Sequence, residues 1–289
     1  MTGFRGVTIN RRRPATQIVS GWFGLRWKEF LEGTKKRREP KKTAKSKRKR
    51  EIGVVGLIVA MTVSVRATMV TNLTTGQLLF FDDFEAASQW STNAPLDNTV
   101  DADPVAQVGS WTITESTLAH VQVTTYSPAG AYPPGSKWCR AYRASNQSGH
   151  LTANFAAPQS SGQTIRLETM VYISNDSEYR CMVRLQNGST TLAGMAPAKD
   201  GTNRVIRTLD GGSWTPTTVP WEVGVWQKWT LEYTANATTF QFSVDGIEGT
   251  ASATAGLANN VYFYNGDWVG SGWFGLDYAP AQTPAAVSG

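Results

Sequence analysis

Trp226-Gln227-Lys228-Trp229-Thr230-Leu231-Glu232-Tyr233, followed after a short break by Thr239-Phe240-Gln241-Phe242-Ser243-Val244-Asp245-Gly246, is the stretch that decides the fold. In the first half Trp229, Leu231 and Tyr233 alternate with Thr230 and Glu232. In the second, Phe240, Phe242 and Val244 alternate with Gln241 and Ser243. A period of two puts every second side chain on the same side of an extended strand, so both halves read as strands with one buried face. Asp245-Gly246 then predicts a tight hairpin, because its two central positions need residues that tolerate positive φ.

The same pattern extends in both directions. Thr164–Ile173 sets Ile165, Leu167, Thr169, Val171 and Ile173 on one face. Tyr179–Leu185 sends Cys181, Val183 and Leu185 inward and Arg180, Met182 and Arg184 outward. Leu78–Phe84, Trp111–Thr114, Leu118–Thr125, Lys137–Ala144, Leu151–Phe155, Arg204–Leu209 and Thr217–Trp221 read as further strands. Val261–Tyr264 and Trp273–Tyr278 close the series. Helical periodicity is almost absent after Gln77, and there is no internal repeat. Many short strands with turns rich in Gly, Pro, Asn and Asp imply an all-β, two-sheet antiparallel jelly-roll sandwich over residues 77–280. Residues 68–76 read as a polar spacer, and 281–289 as a disordered tail with no apolar anchor.

Upstream the chain changes character. Residues 1–50 hold 17 Lys/Arg and 3 Asp/Glu, a net of +14, which leaves 11 basic and 19 acidic residues, a net of −8, for the rest. The pI of 9.3 therefore describes an arm, not the candidate domain. A nucleic-acid footprint would be a basic patch on a folded domain, so the acidic remainder argues against nucleic acid as a partner. Ile52–Val65 is an uncharged run of 14 residues behind Lys47-Arg48-Lys49-Arg50. A membrane-spanning helix needs ~20 apolar residues, whereas a signal peptide wants an apolar run of ~7–15 behind a basic segment. Residues 52–67 thus read as a signal peptide cleaved before Thr68. A retained signal anchor, with Ile52–Val65 in the membrane, is the alternative. The basic cluster puts the preceding arm, residues 1–51, in the cytoplasm in either case. The expected destination is secreted, periplasmic or at the cell surface, with membrane attachment if the leader stays uncut.

Three segments together resemble the concanavalin A-like lectin/glucanase superfamily, in particular laminin-G-like jelly rolls on bacterial exported proteins. They are Phe81-Asp82-Asp83-Phe84-Glu85, the Trp226–Gly246 stretch, and Trp273-Phe274-Gly275-Leu276-Asp277-Tyr278. The resemblance spans about Gln77 to Tyr278 and implies two curved antiparallel sheets. It also implies a glycan ligand for many members, calcium for some, and glycoside hydrolase or polysaccharide lyase activity in some branches. A calcium site would use Asp82 or Asp83 at the start and Asp277 at the end, if the terminal strands are neighbours. The competing reading is that these acids cap strand edges or meet arginines.

The residues themselves argue against catalysis. The hydrolase branch carries E-x-D-x-x-E on one strand, and retaining glycosidases need two carboxyl groups ~5 Å apart. No such triplet exists. Glu168 has Arg166 and Met170 as same-face neighbours, and Glu232 has Thr230 and Thr234. The lyase branch wants a His or Tyr base beside Arg, Gln or Asn. His120 reads as an outward strand residue and His150 as a solvated one after a turn. Sugars stack on aromatic rings beside a few hydrogen bonders, and the loop-like residues Trp214, Trp221, Tyr264, Asn265, Asp267 and Trp268 are the candidate glycan face. Trp229, Phe240, Phe242 and Trp273 read as core. Cys139 and Cys181 form a candidate disulfide in an oxidising compartment, or else are two small buried apolar residues. The expected function is a non-catalytic surface domain that binds carbohydrate or mediates adhesion, with a divergent glycan-active enzyme or a structural surface module as alternatives.

When the full-length chain is expressed in a secreting host, N-terminal sequencing of the exported product is expected to begin at Thr68. A membrane-bound product that retains residues 52–67 would instead identify an anchor.

Overall fold

The computed structural model describes residues 68–91, 102–116, 118–126, 137–143, 149–210, 212–266 and 271–277. The apolar run Ile52–Val65, the basic segment before it, Asp267, Trp268 and residues 281–289 lie outside these residues. The described residues form strands and no helix. In chain order the strands are β1 Thr68–Asn72, β2 Leu78–Asp82, β3 Ser110–Thr114, β4 Ala119–Thr124, β5 Trp138–Arg143 and β6 His150–Asn154. Next come β7 Thr164–Ile173, β8 Met182–Asn187, β9 Thr190–Asp200, β10 Asn203–Asp210 and β11 Ser213–Pro220. The series ends with β12 Trp226–Thr234, β13 Thr239–Val244, β14 Ile247–Ser252, β15 Asn260–Tyr264 and β16 Gly272–Asp277.

They make two antiparallel sheets. The nine-stranded sheet runs β14-β13-β12-β7-β16-β5-β4, with β1 and β2 branching from β7. The seven-stranded sheet runs β11-β10-β9-β8-β15-β6-β3. The two-sheet sandwich expected from the alternation is what the chain forms. Its key hairpin closes as the sequence predicts, with Val244 opposite Ile247 and Asp245 and Gly246 at φ of 49° and 81°. Positive φ at both central positions matches the right-handed twist of the flanking strands.

The inward faces interdigitate into one core. Val70, Phe80, Leu167, Val171, Trp229, Leu231, Phe240 and Phe242 from one sheet meet Leu151, Val183, Leu185, Met195, Ile206, Val261 and Phe263 from the other. At the centre, Val70, Ile165, Leu167, Leu185, Leu231 and Val261 pack without room for a water molecule.

The structure departs from the sequence reading at one point, adds a strand at a second and shows one of two open alternatives at a third. The supposed spacer contains β1, which pairs with both β2 and β7. Thr190–Asp200, which shows no period, is a strand of 11 residues inside the seven-stranded sheet. Cys139 and Cys181 are free thiols, both fully buried in the core, and burial raises both thiols well above the usual thiol range.

Leu231→Ala is expected to lower unfolding free energy by ~2–5 kcal/mol, because it removes buried methyl groups and leaves a cavity. Ile247→Ser, at a side chain 50% exposed, should stay within about 0.5 kcal/mol. Denaturant melts of the two variants check both.

Candidate functional site

On the seven-stranded sheet, inward residues such as Val183, Leu185, Met195, Val261 and Phe263 force their neighbours outward. Cross-strand register lines those neighbours up. Arg184 lies opposite Gly194 on one side and Tyr262 on the other. Tyr262 is opposite Thr152, and Thr152 is opposite Thr112. On the far side Trp214 is opposite Leu209. A second row holds Arg207 opposite Pro216 and Ala196, then Met182, Tyr264, His150 and Thr114. A third row adds Gln186, Asn260, Asn154 and Ser110. Seven strands spaced ~4.8 Å apart make this face roughly 29 Å wide.

Its aromatic and cationic groups touch. Tyr262 and Tyr264 are near parallel, 5.8 Å apart at 15°, and His150 packs 5.0 Å from Tyr262. The Arg184 guanidinium lies 5.8 Å from the Trp214 ring, and Tyr179 packs 5.5 Å from the same indole. Gly194 makes room for this. A Cβ there would sit 3.3 Å from Leu209 Cβ and 3.6 Å from Arg184 Cγ. The rings are half-buried rather than covered. Burial pushes the Tyr262 hydroxyl up to about 12, with Tyr264 adding to the rise and Arg184 opposing it. Burial also holds the His150 imidazole below its usual value.

Tyr179 is strained, at a φ of 58°, a region that bulky residues rarely enter. Its backbone N–H donates to Pro197 O and its carbonyl accepts from Gly266. Its hydroxyl accepts from Arg207 Nη1 at 2.9 Å. Strain of this kind concentrates at functional sites.

The structure sorts the anticipated residues. Trp214 and Tyr264 fall on this one face. Trp221 does not: it is 2% exposed, and its indole donates to Ala198 O at 2.8 Å inside the core. Asn265 is fully buried. Its amide donates to Ala141 O and Gly272 O and accepts from Arg180 Nη1, so it is a bracket between segments. Arg180, expected outward, is itself buried in that bracket. His150 is half-buried against tyrosines, not solvated. Trp273 is not core but half-buried on the outward face of the nine-stranded sheet. There Trp138, Tyr172, Trp226 and Trp273 crowd around Gly275, whose added Cβ would lie 2.8 Å from two indoles. That cluster is more tightly closed, with Trp138 at 3% and Tyr172 at 6% exposure. Arg184, Tyr262 and Gly194 are the site residues that the sequence pattern alone did not single out.

Carboxylates are scarce where chemistry would need them. On β9 the outward positions are Gly194, Ala196 and Ala198, with Asp200 at the strand's exposed end. On the nine-stranded sheet, Glu168 meets Lys228 at 2.7 Å and Glu232 meets Arg166 at 2.7 Å. Among the described residues no three His, Cys, Asp or Glu side chains group as metal ligands. Asp82, Asp83 and Asp277 do not fit a calcium site. Asp82 faces the core, Asp83 bonds Gln107 on the other side, and Asp277 alternates with the core residue Leu276 and so points away from Asp82's face.

No family model matches the chain, and no curated protein does. Solved structures similar to it include a sialidase, at 10% identity and a TM-score of 0.41 over 60% of this chain and 21% of that one. Lectin II from Ulex europaeus is at 10% identity and 0.37, over 56% of this chain and 90% or more of that one, 91%. An alginate lyase of polysaccharide lyase family 7 is at 10% and 0.35, over 74% and 91%. The chain thus spans about a fifth of the sialidase's length, 21%. A fold by itself does not fix an activity, which has to be argued from the site.

Asp82 gives a measurable signature of its own. It is fully buried, and desolvation raises its carboxyl from 3.8 to about 7, against the opposing bonds from the Trp111 indole and the Phe84 N–H. A raised folded-state value means the native state holds the proton more tightly than the unfolded chain. The resulting stability is present below about pH 4 and lost as pH rises toward 7. Asp82→Asn should therefore gain relative to wild type as pH rises from about 4 to about 7, with its Tm difference shifting upward by several degrees. A Tm difference independent of pH would show that the carboxyl titrates normally.

Proposed function

We propose that this chain is an exported, non-catalytic β-sandwich that binds carbohydrate on the outward face of its seven-stranded sheet. The observation that carries the reading is the alignment of Trp214, Arg184, Tyr262 and Tyr264 on one face, with Thr112, Thr152, Asn154, Gln186 and Asn260 beside them. A sugar offers an apolar CH face and a rim of hydroxyls. Aromatic planes take the first and placed amides and hydroxyls take the second. The absence of acids at Gly194, Ala196 and Ala198 supports a binding role, since glycosidases of either stereochemistry need two carboxyl groups flanking the bond. The basic segment and apolar run of residues 47–65 support export to the cell surface or periplasm.

A glycan array probed with the purified protein tests this. Binding is expected, and Tyr262→Ala or Trp214→Ala should each weaken it about tenfold, corresponding to ~1.4 kcal/mol for a central aromatic contact. Silence across the array would sink the reading. Release of unsaturated uronate sugars, for which His150 and Tyr262 beside Arg184 offer candidate bases, would overturn its non-catalytic part.

A further inference from the structure

We infer that the carbohydrate taken by this face is anionic, bearing carboxylate or sulfate groups. The inference rests on the glycan-binding reading above and narrows it.

Two guanidinium groups occupy the face. Arg184 reaches the Met182 sulfur at 3.7 Å and the Trp214 ring at 5.8 Å, and among the described residues it has no carboxylate partner. Arg207 gives Nη1 to the Tyr179 hydroxyl at 2.9 Å and Nη2 to Lys199 O at 2.6 Å. Its nearest carboxylate, Glu178, stands at 3.8 Å and also accepts from the Lys199 N–H. Both guanidinium Nε atoms are buried without an acceptor.

Arg207 has its ion pair in Glu178, but the surroundings supply no countercharge to Arg184. The outward positions of β9, β8, β15, β6 and β3 around Arg184 are Gly194, Ala196, Ala198, Met182, Gln186, the two tyrosines, His150 and a set of Thr, Asn and Ser residues, none of them acidic; the acid on β9, Asp200, lies at the strand's end, three outward positions beyond Gly194. Asp176, at the margin, is already paired with Lys199 at 2.8 Å and Arg204 at 2.9 Å. A planar guanidinium held against an aromatic ring keeps its outer edge for a bidentate oxyanion. A neutral sugar would cover Arg184 without answering its charge, which is costly at a half-buried site. A uronate or sulfate ester answers it while its ring rests on Tyr262 or Trp214.

The test compares matched polymers that differ in charge: polygalacturonate against its methyl ester, carboxymethylcellulose against hydroxyethylcellulose, and dextran sulfate against dextran. Affinity electrophoresis of the purified protein reads all six. At least one charged member should bind tenfold or more tighter than its neutral partner. Arg184→Gln should erase that preference with an unchanged Tm, and Arg184→Lys should restore part of it. Equal binding within every pair, or preference for the neutral members, overturns the anionic ligand and leaves carbohydrate binding standing. A charged preference that survives Arg184→Gln overturns the assignment to this face. If neither these six nor the neutral array binds, carbohydrate binding itself fails.

Discussion

Strand β7 is the constraint on which the rest of the sandwich depends. One of its edges is paired along nearly its whole length with β12, from Thr164 opposite Thr234 to Tyr172 opposite Trp226. Its other edge is shared by two strands laid end to end. β1 covers Ile165 to Glu168, and β16 covers Met170 to Ile173. The two therefore meet at Thr169, whose hydroxyl bonds the Thr68 hydroxyl at 2.8 Å. Residues more than 200 positions apart in the chain form one composite strand. A buried strand with an unpaired edge would leave its N–H and C=O groups without partners, so both ends of the domain must be in place for β7 to be satisfied.

That junction explains why part of the fold was legible in the sequence and part was not. β7, β12 and β13 have one face in the core and one outward, so period two marks them and Asp245-Gly246 marks the turn. β1 is short, polar at both ends and defined only by its partners, so Thr68–Asn72 read as spacer. β9 was hidden for a different reason. Its residues are small, it is buried on both faces along most of its length, and Pro197 argues against a central strand. Pro197 is tolerated because the β8 pairing has already stopped at Met195, and beyond it the neighbour is the Tyr179 N–H.

Of the site, the aromatic residues were legible only in part, because sequence gives exposure no sign. Trp214 lies near the start of β11 and Trp221 just past its end, yet one ends beside Arg184 and the other donates to Ala198 O inside the core. Asn265 looked like a ligand because it follows a strand and precedes a glycine. Its actual work is to satisfy Ala141 O, Gly272 O and Arg180, a network that only tertiary contact assembles. Arg184 was correctly read as outward, but nothing in the local sequence says that its neighbours across the sheet are a glycine and a tyrosine.

The two outward faces show why ring count alone does not mark a binding surface. On the nine-stranded sheet the indoles of Trp138, Trp226 and Trp273 pack against each other and Tyr172 over Gly275, so their planes are spent on one another. On the seven-stranded sheet Gly194, Ala196 and Ala198 are small and themselves covered, which gives the side chains of neighbouring strands a low floor to lie across. Trp214 and Tyr262 are separated by that low floor, and Arg184 fills it with a flat cation instead of a third ring. The small residues of β9 therefore do two things at once. They let β9 pack closely between its neighbours, and they leave room for the Arg184 guanidinium to lie beside the Trp214 ring.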